Sequence, residues 1–309
     1  MTKIFVNLKR FDVPKSKGGV CNFDSPEKWV KWIIEESVKA GLGKLDNMDV
    51  TFLLPESLII AANDILSTFS QKDTATINVG CQGIFREDVK KGGNFGAFTS
   101  NLPAAAASNI GCSWSIIGHS EERKDKMGII SKFDPQCNTD AQKRKQLSEA
   151  VNTIMNEEVL CAMDADIKVL FCIGETADEK GAGEFEEQKP RIEAVLREQL
   201  LQGLKGVQNK QPDQNIVIGY EPIWAIGPGK TPPGVEYISF VSAYIKSVVK
   251  KELGFNVGVV YGGGLKEENA GMISKIETID GGLVALTKFT GEIGFFPEDL
   301  KIIINKYLE

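Results

Sequence analysis

Three short segments end apolar runs on side chains able to move protons or steady charge: Asn7-Leu8-Lys9, Gly118-His119-Ser120-Glu121 and Tyr220-Glu221-Pro222. A neutral imidazole can polarise a carbonyl, and a carboxylate at the end of an apolar run is a second catalytic candidate. His119 is the only histidine in the chain. Ser120 and Glu121 begin a helix signal, so the imidazole is expected near a helix N-terminus, where the cationic form is disfavoured. Each residue alone also fits a duller role. His119 can be a satisfied structural histidine, and Glu221 a surface carboxylate or an internal ion-pair partner.

The segment after Glu221 bears on that choice. Pro222-Ile223-Trp224-Ala225-Ile226-Gly227-Pro228-Gly229-Lys230 is apolar, hinged by Gly and Pro, and carries an aromatic near its start. A plain surface loop seldom exposes Trp and Ile, whereas a lid that closes over a site and expels water needs them. Two glycine segments follow, Tyr261-Gly262-Gly263-Gly264 and Gly281-Gly282-Leu283-Val284. Bare backbone N–H groups ahead of a helix bind phosphate, although tight turns use the same residues.

The elements that must position these groups alternate. Strand candidates are 4–7, 50–54, 76–81, 114–118, 168–174, 216–220, 257–261 and 282–286, each a near-continuous apolar run suited to a parallel sheet buried on both faces. Helical patterns fall between them. Ser25 and Pro26 open one ahead of Trp29, Val30, Ile33 and Ile34, and Gly41 stops it. Such repeated alternation specifies an α/β fold, either a barrel or a doubly wound sheet, and periodicity does not separate the two. Residues 124–165 read as an elaborated helix with a surface insertion, and 179–189 as a charged segment opening a long helix.

With 309 residues, 42% hydrophobic and 25% charged, the chain holds enough apolar material for one large core, and residues 1–309 are taken as a single domain. A net charge of −6 argues against nucleic acid or anionic membrane as a partner. The six cysteines are scattered without a CxxC pair, and one histidine leaves too few ligands for a structural zinc, so no metal is expected. Reduced, core-filling cysteines and an N-terminus without an apolar signal stretch lead to the expectation of a soluble, cytoplasmic protein.

The segments GAFT, GHSEE, CIGET, YEPIWAIGPGK, YGGG and DGGLV, in this order and spread over nearly the whole chain, resemble the triosephosphate isomerase family. The resemblance implies a single-domain (β/α)8 TIM barrel with loop insertions. It also implies interconversion of dihydroxyacetone phosphate and glyceraldehyde 3-phosphate through an enediolate, with no cofactor. Carried onto this chain, Glu221 is the base and His119 the neutral electrophile. Lys9, beside Asn7, supplies positive charge, and Glu121 orients Lys9. Residues 224–230 are the lid, with Ile226 and Leu283 as a dry clamp on Glu221. Gly227, Gly264, Ala285 and Leu286 face the phosphate. Thr99 lies at the tip of a loop (96–99) that family members insert into a neighbouring subunit, so a homodimer is expected.

Several positions depart from the family pattern. Its LVGGAS reads Leu283-Val284-Ala285-Leu286-Thr287-Lys288, the serine after YGG is Gly264, Glu122 stands where an arginine is expected, and Asn101 replaces a glutamate. Insertions occupy 14–24, 86–95 and part of 124–165. An intact catalytic set beside an altered phosphate cradle leaves an alternative substrate, a four-carbon ketose phosphate handled by the same chemistry. A Schiff-base aldolase would need a lysine on an inner strand, where Glu221 stands. A barrel kept only for binding predicts loss of Lys9, His119 or Glu221, and all three are present.

Overall fold

The computed structural model describes residues 1–227 and 229–309. Its strands are β1 (Thr2–Asn7), β2 (Met48–Leu54), β3 (Ile77–Cys81), β4 (Trp114–Ile117), β5 (Lys168–Ile173), β6 (Ile216–Tyr220), β7 (Gly258–Tyr261) and β8 (Gly281–Val284). Each pairs in parallel with the next, and β1 pairs with β8 to close the barrel. Closure decides between the two α/β architectures that periodicity left open. The last strand ends at Val284, two residues earlier than its apolar run suggested, so Ala285 and Leu286 lie in the loop beyond it.

The helices in chain order are α1 (Pro26–Lys39), α2 (Glu56–Ser67), α3 (Gln71–Thr74), α4 (Ala104–Asn109), α5 (Ser120–Phe133) and α6 (Ala141–Asp164). They continue with α7 (Ala177–Lys180), α8 (Phe185–Gly203), α9 (Pro212–Asn215), α10 (Val235–Val248), α11 (Glu267–Ile273) and α12 (Pro297–Leu308). The first shows how local signals build the shell. Ser25 accepts the Lys28 N–H, Pro26 sits in the first turn, and Trp29, Val30, Ile33 and Ile34 turn inward. Burying each such side chain contributes roughly 1.5–3 kcal/mol.

Side chains alternate between two cores. Phe5, Leu53, Trp114, Ile116, Leu170, Cys172, Val217, Val260 and Leu283 fill the barrel interior. Their strand neighbours, such as Ile4, Val6, Phe52 and Phe171, pack outward against the helices. Two-sided burial explains why the strands read as continuous apolar runs.

The stretch expected to be one elaborated helix is two. α5 stops at Phe133, a short 3-10 turn spans Pro135–Asn138, and α6 restarts behind Asp140, whose side chain accepts the Lys143 N–H. Pro135 cannot donate a helical hydrogen bond, and Asp134 bonds the Gln136 N–H, which together end the first helix. All six cysteines are free thiols, and all but Cys161 are buried. Among the described residues no helix is long and apolar enough to cross a membrane.

Candidate functional site

The nine positions expected to act on, bind or support a substrate line one cavity of about 1240 Å³: Asn7, Lys9, His119, Glu121, Glu221, Gly227, Gly264, Ala285 and Leu286. Each sits at or just beyond the C-terminal end of a strand, the face where barrels of this type carry their sites.

Lys9 is reached by a strained turn. Its φ is +39°, an unusual value for a residue with a Cβ, and its N–H donates to Asn7 Oδ1 at 3.0 Å. Gln82, just past β3, fastens this corner by donating to Asn7 Oδ1, to the Lys9 carbonyl and to the Leu53 carbonyl. Lys9 Nζ then lies 2.7 Å from Glu121 Oε1. Partial burial alone would raise the Glu121 carboxyl. The Lys9 ammonium, helped by Lys124, outweighs that effect and holds it below the usual carboxylate value.

His119 caps the N-terminus of α5, as the Ser120 and Glu121 helix signals predicted. Its Nδ1 accepts the Glu121 backbone N–H at 3.2 Å. An N–H can only donate, so Nδ1 is bare and the ring proton of the neutral imidazole sits on Nε2. That nitrogen is 3.2 Å from Glu221 Oε1. Gly118 makes the approach possible. Its φ is +79°, and a Cβ there would lie 2.8 Å from the Cys172 carbonyl oxygen.

Glu221 is buried, with its side chain 3% exposed. Ser120 holds both of its oxygens, the backbone N–H donating to Oε2 at 2.9 Å and the hydroxyl to Oε1 at 3.1 Å. Ser120 had been read only as a helix start. Its second task depends on a contact between residues 101 positions apart.

The segment expected to form a lid is rooted by a residue that the sequence analysis quotes in CIGET without a role. Glu175 is fully buried and accepts from Trp224 Nε1 at 2.7 Å, the Tyr237 hydroxyl at 2.7 Å and the Tyr220 hydroxyl at 3.0 Å. Burial pushes its carboxyl up, and the three donors pull against that. Beyond this root, Ile226 is 37% exposed and Leu283 is buried in the barrel interior, and both line the cavity. Gly227 and Gly229 are exposed, and Pro228 of the lid lies outside the described residues.

The positions expected to face phosphate behave differently from one another. Gly264 has φ +91°, which justifies glycine there. Ala285 and Leu286 are absent from the residues with positive φ, so their side chains impose no backbone strain. The loop 96–99 projects Gly96 and Thr99 into solvent, with Phe95 beside it 83% exposed.

The model of the family described as triosephosphate isomerase matches residues 36–292. The chain belongs to the triosephosphate isomerase family. It is 30% identical over 230 residues to the triosephosphate isomerase of Chloroherpeton thalassium, covering 73% of this chain and 77% of that one. Against the triosephosphate isomerase of Finegoldia magna it is 30% identical over 233 residues, covering 74% and 79%. The crystal structure of triosephosphate isomerase from Bartonella henselae superposes with a TM-score of 0.66 at 22% identity, covering 100% of this chain and 99% of that one, and establishes the fold. The family's arrangement of a carboxylate base beside a neutral imidazole is well known. In this chain the same two residue types meet at Glu221 and His119.

Proposed function

We infer that this chain is an aldose–ketose isomerase that interconverts dihydroxyacetone phosphate and glyceraldehyde 3-phosphate. The observation that carries the reading is the convergence of Lys9, His119 and Glu221 in one cavity, with His119 Nε2–H facing the site and the Glu221 carboxylate beside it. Family membership agrees with it.

In this reading Glu221 leaves Ser120 and removes a proton from the substrate carbon next to the carbonyl. The C–H electron pair becomes the new carbon–carbon double bond, and the carbonyl pair moves onto oxygen. Lys9 and the Nε2–H of His119 steady that oxyanion, a large contribution in sites prepared in advance. His119 carries a proton from one enediolate oxygen to the other, and Glu221 returns its proton to the neighbouring carbon. Lid closure over Ile226 and Leu283 expels water and keeps the intermediate from side reactions. Gly227, Gly264 and the backbone of Ala285 and Leu286 take the phosphate, with Lys230 and Lys266 also lining the cavity. The exposed Thr99 loop favours a homodimer, and sedimentation of the pure protein as a monomer would remove that part. Deuterium uptake from heavy water at the carbon beside the ketose carbonyl tests the reaction itself; no uptake would overturn the reading.

One observation favours a longer substrate as a second reading. The cavity, about 1240 Å³, exceeds the roughly 300–1,000 Å³ of sites for drug-sized ligands. It runs from the catalytic end between Ser120, Lys124 and Met127 of α5 and Ala141, Arg144 and Ser148 of α6. Both sets recur at helical spacing, so each helix turns one stripe to the cavity. A four-carbon ketose phosphate uses space that the three-carbon substrate leaves empty.

A further inference from the structure

Behind His119 lies a charge cluster that the reaction does not use. Glu122 Oε2 accepts the Gly118 N–H at 2.7 Å, and Lys126 Nζ donates to Glu122 Oε1 at 2.6 Å. The same ammonium lies 3.1 Å from Glu158 Oε1 on α6. The Gly118 carbonyl is held from the other side by Arg123 Nε at 2.8 Å, whose remaining donors go to Asn152 and to the Cys172 carbonyl. Gly118, the residue that delivers His119, is therefore gripped at its N–H by Glu122 and at its C=O by Arg123.

Arg123 lies beside Glu122, and the ammonium that Glu158 touches, Lys126, is shared with Glu122. The Glu158 side chain is 5% exposed, with Oε2 buried and without a hydrogen-bond partner. An uncompensated charge there is costly, and a proton on one carboxyl removes the cost. We propose that Glu122, Lys126 and Glu158 form a positioning unit for His119, in which a proton kept on Glu158 holds Glu122 on the Gly118 N–H. The inference rests on the catalytic role given to His119 above.

The electrostatics agree with the geometry. Burial pushes the Glu158 carboxyl up to about 9, the negative charge of Glu122 adds to that, and Lys126 offsets only part. Around it, α5 contributes Glu122, Lys126 and Arg123, with Arg123 facing Glu122. Its own helix contributes Cys161, and β5 contributes Cys172 near Glu122. From α8, Glu198 connects through Gln202 and Asn152 to Arg123. With the proton on Glu158, Lys126 neutralises Glu122 and the carboxylate stays on Gly118. When Glu158 ionises, the buried Glu158 and half-buried Glu122 carboxylates repel and compete for Lys126, Glu122 is drawn from the Gly118 N–H, and the His119 turn loosens.

Glu158→Gln stays neutral at every pH and keeps the shape. The fall in kcat between about pH 7 and about pH 10 should be at least about threefold smaller in this variant than in the wild type. In the wild type without substrate, the 13C carboxyl signal lost in Glu158→Gln should titrate near 9, with the His119 ring signals following it. Glu122→Leu should lower kcat about tenfold with KM nearly unchanged, and Glu122→Gln, which keeps an oxygen for Gly118, should lose less. A Glu158 signal titrating at the ordinary value of about 4.3, or superimposable pH profiles for wild type and Glu158→Gln, overturns the proposal. The NMR titration needs no turnover. It reads the unit even if the isomerase reading fails, and deuterium uptake reads that separately.

Discussion

The imidazole of His119 stands between two carboxylate-bearing partners in opposite senses. Its Nδ1 accepts the backbone N–H of Glu121, while its Nε2 lies 3.2 Å from Glu221 Oε1. The helix start thus fixes which nitrogen carries the proton, and the barrel fixes what that proton faces. A ring with its proton on Nδ1 would lose the cap and present no donor to a substrate oxygen.

Nitrogen-15 chemical shifts near neutral pH should therefore show Nε2 protonated and Nδ1 bare. One histidine in the sequence makes the spectrum unambiguous. A proton on Nδ1 would sink the assigned role.

Glu221→Gln keeps the volume of the side chain and an acceptor for Ser120 but removes the base. Turnover should fall about a hundredfold to ten-thousandfold, with thermal unfolding close to that of the wild type. Near wild-type turnover would show that another group takes the proton.

The Lys9–Glu121 ion pair should matter for placement more than for stability. Glu121 is 66% exposed, and such pairs contribute about 0–1 kcal/mol. Its carboxyl is held below its unfolded value, so this small contribution is present above the unfolded value of about 4.3 and is lost as pH falls through the folded one. Glu121→Gln should barely move Tm yet lower kcat/KM several-fold, because Lys9 loses its anchor. A large Tm drop with unchanged kinetics would contradict this ordering.

Substrate size is read by a panel of three- to five-carbon ketose and aldose phosphates. Gly264 withdraws a hydroxyl donor, and a hydrogen bond to a charged group is worth about 1.5–3 kcal/mol. The value of kcat/KM for dihydroxyacetone phosphate should therefore fall below the ceiling of about 10⁸–10⁹ M⁻¹s⁻¹, with a four-carbon ketose phosphate turned over comparably. Ala285 and Leu286 carry no positive-φ strain, which leaves bulk and lost hydrogen bonding as the physical cause. A three-carbon rate at the ceiling with the longer sugar inert would make these substitutions neutral.

Much of this molecule is legible in one dimension. The apolar runs gave each strand to within two residues at either end, because a strand buried on both faces needs apolar side chains in succession. Lys9, His119 and Glu221 were visible because each is a polar residue ending such a run, where a parallel barrel opens to solvent. Tertiary structure decided what depends on closure. Pairing of β8 with β1 made a barrel, and no periodicity encodes which strand meets which. The grip of Ser120 on Glu221, of Gln82 on the Lys9 corner and of Glu175 on Trp224 joins residues from 49 to 101 positions apart. Glu122 was visible only as an unexpected carboxylate, since its partner Glu158 lies on the next helix. A residue type states which bonds a side chain can make, and only the packed chain brings the partner within 3 Å.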